Sequence, residues 1–182
     1  MKKQVLFFQG AGEGAYEEDR LLATSLQNAL GTVYQVHYPK IQNEGDIEYA
    51  DWKAQIDREL AALGDDVTLV GHSVGASVLL KYLSEEPIRK SITGLFLLAA
   101  PYWGVDDFWK WDEARLPQDV PARLARLPRI FFYHSRDDEI VPFAHFGLYA
   151  EKIPQAIFRE FDGRGHQFDN DLTEVAEDIK SL

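Results

Sequence analysis

The chain has 182 residues, no cysteine, and 30 acidic against 19 basic side chains, for a formal net charge of −11. That length suggests one domain over residues 1–182 with a sizeable core, and 46% hydrophobic residues exclude a disordered chain. The acidic excess disfavours nucleic acid and anionic membrane surfaces, and the missing cysteines exclude disulfides, thiolate catalysis and cysteine-based metal sites.

A first strand is predicted at residues 5–8, where Val5, Leu6, Phe7 and Phe8 run together behind Met1-Lys2-Lys3. This run is too short for a signal peptide, and no stretch approaches a membrane span, so a cytoplasmic location is expected. The loop Gln9-Gly10-Ala11-Gly12-Glu13-Gly14 follows. Its glycines do not match G-x-G-x-x-G and no G-K-[ST] comes after them, which argues against a phosphate loop. Residues 16–30 carry Leu21, Leu22, Leu26 and Leu30 at helical spacing. A strand at 33–37 precedes a helix at 49–63 with Trp52, Ile56, Leu60 and Leu63, in which Trp52 reads as core.

The strand at 67–70 runs into Gly71-His72-Ser73-Val74-Gly75 and a helix at 74–86 that is apolar on most sides. Strand, sharp turn and helix with serine at the apex make a nucleophile elbow. Glycines flank the serine because the strained turn brings backbones too close for a Cβ. The other role serine fills at such a place is a helix N-cap, and the remaining chemistry of the chain separates the two.

After a strand at 94–99 comes an irregular stretch, 101–128, with Pro117, Pro121 and Pro128. It holds three of the four tryptophans, Trp103, Trp109 and Trp111, within nine residues. From the end of its strand it should overhang Ser73. It is either a short cap-like segment that forms the substrate pocket or an aromatic face packed on the domain. A strand at 130–134 leads into Ser135-Arg136-Asp137-Asp138-Glu139-Ile140-Val141-Pro142, whose proline opens the next helix. A strand at 157–161 leads through Gly163-Arg164-Gly165 to His166. The last helix is predicted at 170–182, with Leu172, Val175, Ala176 and Ile179.

Serine needs a base beside it, usually histidine, and the imidazole needs a carboxylate to fix its tautomer. Elbow architectures deliver these in the order serine, acid, histidine, and this chain has that order. The acid is Asp137 or Asp138, with Asp138 preferred; Asp106 and Asp107 are a weaker location. His166 is the base, because its glycine-rich loop can aim a side chain back over the sheet. His72, at a variable position of the elbow, packs or orients the turn and is grouped with the three tryptophans as a pocket residue. His37, His134 and His145 read as structural. No histidine pair has metal-ligand spacing, so no metal and no cofactor are expected. Acyl transfer also needs two aimed N–H donors for the oxyanion, assigned to Val74 and to Ala11 in the first loop.

Every candidate follows the carboxyl end of a strand, where α/β sheets bind ligands. Strands without clean alternation, interleaved with helices, give the fold class. It is α/β, a three-layer sandwich with a mainly parallel sheet of about six strands and helices on both faces.

The glycine-rich first loop, Gly71-His72-Ser73-Val74-Gly75-Ala76, Asp137-Asp138 before Val141-Pro142, and Gly165-His166 together resemble the α/β-hydrolase superfamily. More narrowly, they are similar to its small single-domain members of the retinoblastoma-binding protein nine type. The resemblance runs through most of the chain and implies a compact serine hydrolase with Ser73, Asp138 and His166 as triad. Such a form lacks the antiparallel strands that open the sheet in larger relatives. One departure stands out: the first loop begins Gln9-Gly10 where the wider superfamily has His-Gly. The resemblance names no substrate; the expected activity is hydrolysis of a small-molecule carboxylic ester through an acyl-enzyme. The alternatives are a thioesterase or amidase on the same triad, or a non-catalytic binding protein of the same fold. The oligomeric state is not set by the sequence, with which a monomer is compatible.

Overall fold

The computed structural model describes residues 2–42, 44–45, 48–87 and 90–182. Its strands are β1 (Lys3–Phe8), β2 (Tyr34–His37), β3 (Val67–His72), β4 (Ile92–Leu98), β5 (Ile130–Ser135) and β6 (Ile157–Phe161). They pair in one sheet in the order β2-β1-β3-β4-β5-β6, and every neighbouring pair is parallel. The chain builds outward from β1 to β2, then returns to add β3 on β1's other side. The switch of direction therefore lies between β1 and β3, where an open parallel sheet leaves a crevice at its carboxyl edge.

The near-continuous apolar strands follow from burial on both faces. Val5 and Phe7 of β1 join one core layer, and Leu6 and Phe8 the other. β4 divides likewise, Phe96 and Leu98 on one side, Leu95 and Leu97 on the other. Helices α1 (Ala15–Leu30) and α6 (Thr173–Lys180) cover the first face. The second is covered by α2 (Tyr49–Ala62), α3 (Ser73–Glu85), the one-turn α4 (Val120–Arg123) and α5 (Ala144–Lys152). Among the described residues no helix is long and apolar enough to cross a membrane.

The helix ends follow local chemistry. α1 stops at Gly31, whose φ of 77° is left-handed and whose amide bonds to the Gln27 carbonyl at 3.0 Å. The stripe of α1 differs in one respect from the sequence expectation. Leu21 is 47% exposed, and the buried positions are Asp19, Leu22, Ala23, Leu26 and Leu30. A carboxylate thus occupies a core-facing position. The last helix is shorter than predicted because the chain first makes a 3₁₀ turn at Phe168–Asn170. Stretch 101–128 is mostly irregular and is fastened to α3. Lys81 Nζ bonds to the Arg115 carbonyl at 2.6 Å, and Arg126 bonds to the carbonyls of Leu83 and Glu86 at 3.0 and 2.7 Å.

Between the sheet and α6, the Phe96 and Phe131 rings stack at 4.9 Å, with Tyr133 at 6.4 and 6.2 Å from them. Phe96 is fully buried. Phe96→Ala is expected to lower the unfolding free energy by about 3–5 kcal/mol, read as a lower urea midpoint at unchanged slope.

Candidate active site

β3 ends at His72 and α3 begins at Ser73, with no residue between them. Ser73 makes the reversal itself, at a φ of 51°. A non-glycine residue there costs about 1–3 kcal/mol and persists only where its surroundings enforce it. The enforcement comes from both glycines of the motif. A Cβ on Gly71 would stand 2.7 Å from the Ala76 Cα. One on Gly75 would fall on the Gln9 carbonyl oxygen and 2.9 Å from that of Phe8. The elbow thus lies tight against the end of β1, and the loop after β1 reaches the serine. A Cβ on Gly10 would come within 3.2 Å of the Ser73 Cβ and 3.7 Å of its Oγ.

The two adjacent acids after β5 do separate work. Asp137 Oδ1 accepts the amides of Gly163 and Arg164 at 2.9 and 3.2 Å, and so organises the loop that carries His166. The Asp138 side chain is fully buried and accepts His166 Nδ1–H at 2.9 Å on Oδ2 and 3.0 Å on Oδ1. It also accepts the amides of Ile140 and Val141 at 2.9 and 2.8 Å, and His134 Nε2 stands 3.1 Å from its Oδ2. Burial alone would raise the Asp138 carboxyl, but its bonds to His134 and His166 hold it well below the usual carboxylate range. Burial pushes the His166 imidazole below its ordinary value. Asp138 pulls it up through its hydrogen bond, and the nearby His72 ring pushes it further down.

A cavity of about 180 Å³ opens between these elements, with Gly10, Ala11, His72, Ser73, Ile140 and His166 among its lining. Its position is the carboxyl end of β1 and β3, at the switch of the sheet. A larger surface hollow of about 620 Å³, beside Glu13, Lys40, Ile41, Gln42, Glu44 and Gly45, pairs no nucleophile with a base. Among the described residues no group of three or more histidine, cysteine, aspartate or glutamate side chains is placed to hold a metal ion.

The other candidates fall as follows. Asp106 Oδ1 accepts the amides of Phe108 and Trp109 and so shapes its own turn. His145 Nδ1 accepts the Tyr102 amide at 2.9 Å, and His37 bonds to Gln4 at 2.5 Å. Trp103, Trp109 and Trp111 cluster with ring centroids 5.7 and 5.4 Å apart, and Trp109 meets His145 at 4.9 Å. They are not among the residues lining the Ser73 cavity. Trp103 Nε1 instead donates to Ser77 Oγ at 2.9 Å, and Ser77 donates to the Val74 carbonyl at 2.9 Å. The cluster thereby buttresses the first turn of α3. His72 is fully buried and touches Asp19 and the His166 loop. Asp19 is the residue that sequence reasoning missed. Its signal is an acid on the apolar stripe shared with Leu22, Leu26 and Leu30.

Comparison with known proteins places this geometry. A family model for serine hydrolases matches residues 22–172. The putative hydrolase YdeN of Bacillus subtilis (strain 168) is 23% identical over 180 residues, covering 91% of this chain and 86% of YdeN. The crystal structure of the ydeN gene product superposes with a TM-score of 0.75 at 21% identity, over 99% of this chain and 98% of that one. The serine hydrolase CCSP0084 of the hydrocarbon-degrading bacterium Cycloclasticus zankles gives 0.74 at 15% identity, over 100% and 89% of the two chains. The esterase domain of a Rhodothermus marinus protein gives 0.68 at 16%, over 98% and 85%. At these identities the structural likeness is one of fold.

Because position 75 has no room for a methyl group, Gly75→Ala is expected to destabilise the protein by about 1–3 kcal/mol or more. Thermal unfolding followed by circular dichroism measures it, and an unchanged melting temperature would refute the close approach.

Proposed function

The chain belongs to the serine hydrolase family of the α/β-hydrolase superfamily, and we propose that it cleaves carboxylic esters through a triad of Ser73, His166 and Asp138. One observation carries the proposal. Asp138 accepts a hydrogen bond from His166 Nδ1–H at 2.9 Å, and the ring so oriented lines the same cavity as Ser73. In that tautomer Nε2 bears a lone pair and accepts the Ser73 proton as Oγ attacks the acyl carbon. The tetrahedral oxygen is held by the amides of Val74, at the start of α3, and Ala11. On either side of Ala11, the Gly10 amide is engaged by Asp19 and the Gly12 amide by the Glu44 carbonyl. The imidazolium then protonates the departing alcohol, and water activated by the same base cleaves the acyl-enzyme. The cavity of about 180 Å³ is smaller than the ~300–1,000 Å³ of sites for drug-sized ligands, which favours a short acyl group.

Ser73→Ala is expected to fold normally, to lose labelling by a fluorophosphonate probe, and to lower kcat on p-nitrophenyl acetate by roughly 10⁴–10⁶-fold. A folded wild-type protein that neither labels nor turns over ester, thioester or amide would be a binding protein of this fold. The pH profile tests the base. Neutral His166 is the active form, so kcat/KM rises with pH. Burial and the His72 charge place its midpoint below the ordinary imidazole value of about 6.5. A midpoint above that value would remove His166 from the role.

A further inference from the structure

Asp19, on α1, is 1% exposed, and His72, the last residue of β3, is fully buried. The Asp19 carboxylate reaches three segments of chain. Oδ2 accepts the Gly10 amide at 2.7 Å and bonds with His72 Nδ1 at 2.9 Å, and Oδ1 accepts Gln167 Nε2 at 3.0 Å. On the other edge of the ring, His72 Nε2 lies 3.0 Å from the His166 backbone carbonyl oxygen. Neither a carboxylate nor a carbonyl donates a hydrogen bond, so both ring nitrogens must, and only imidazolium carries two N–H groups. Burial alone would raise Asp19 and lower His72. Their mutual attraction reverses both, holding the carboxyl below and the imidazole above their ordinary values.

We propose that this buried Asp19–His72 ion pair is a positioning clamp that locks the Gly10 loop, the elbow and the His166 loop into one register and sets a positive charge beside the base. The proposal rests on the triad function above. A neutral His72 would keep a single N–H and hold Asp19 or the His166 loop, but not both. The His72 and His166 rings stand 4.7 Å apart, so the clamp's charge opposes protonation of His166. The other groups facing His166 are Asp138 from the loop after β5 and Asp19 from α1, which favour its protonated form, and Glu139, which accepts its backbone amide at 3.2 Å. Neither Asp19 nor His72 is assigned contact with the reacting atoms.

The clamp is tested first without turnover. In ¹⁵N-histidine-labelled wild type, both His72 nitrogens are expected to carry protons at pH 7. A neutral His72 tautomer at pH 7 would overturn the proposal whether or not the protein hydrolyses esters. In Asp19→Asn, His72 is expected to lose one of those protons at pH 7, because burial without the carboxylate disfavours imidazolium. With p-nitrophenyl acetate, Asp19→Asn is expected to lower kcat by roughly 10–10²-fold, the scale of a misplaced catalytic group, with KM little changed. In His72→Gln, the midpoint of kcat/KM against pH is expected to rise by about half a unit or more. An unmoved midpoint in a folded variant would overturn the charge effect. Failure of wild type to turn over any ester would instead strike the triad function and leave the spectroscopic result standing.

Discussion

At position 75 the first turn of α3 passes so close to the end of β1 that a carbonyl oxygen fills the space of a Cβ. The rest of the site depends on that approach. It forces the chain to reverse at Ser73 rather than over a longer loop, hence the serine's positive φ. It starts α3 at the serine itself, and helix N-termini favour negative charge. It also brings Gly10 and Ala11 to the mouth of the same cavity. In a parallel sheet the strand ends meet only where the winding reverses, and β1 and β3 are the strands on either side of that reversal.

Two carboxylate–imidazole pairs lie side by side in this crevice, and their environments divide the labour. Asp19–His72 lines the same cavity yet is at most 1% exposed, and it has acceptors on both sides of the ring, which requires the charged form. Asp138–His166 has its acceptor on Nδ1, while its ring borders a cavity. The first imidazole is pushed up and the second down. Neighbouring titratable groups driven apart in this way are what acid–base chemistry near neutral pH requires. The charge on one ring disfavours charge on the other, so the Asp19–His72 pair helps keep His166 neutral.

Much of this was legible in the sequence. Continuous apolar runs located all six strands, because burial on both faces removes polar interruptions. The elbow could be read from its glycines because their reason is steric and local. The choice between Asp137 and Asp138 was less accessible. Adjacent side chains diverge, and which one meets His166 depends on the turn closed by the Asp138 amide and the Ser135 carbonyl at 3.2 Å. Asp137 turns instead to the amides of 163 and 164, far along the chain. Asp19 was hidden by its neighbours. In Glu17-Glu18-Asp19 it reads as one of three solvated acids in the opening turns of a helix. Only the phase of the stripe, with Leu21 outside it and Leu22 inside, separates it from the other two. The tryptophans left two readings open, a pocket wall over the serine and an aromatic face packed on the domain, and composition alone could not show that Trp103 points its indole N–H at Ser77, one turn along α3.

The site is held together against its own tendencies. The reversal at Ser73 costs about 1–3 kcal/mol, and a buried ion pair gives little net stability against the desolvation of its two charges. Both burdens sit around the carboxyl end of β3 and the start of α1, while the aromatic stack of Phe96, Phe131 and Tyr133 lies in the neighbouring strands β4 and β5. A fully buried phenylalanine contributes about 1.5–3 kcal/mol, so two or three such side chains offset the strain at the edge. Stability and chemistry thereby draw on different strands of the one sheet. Loss of an aromatic ring from the stack weakens the whole fold while leaving the contacts of Ser73, His72 and His166 in place. Loss of the Asp19 carboxylate removes little packing, yet it releases three loops from one another.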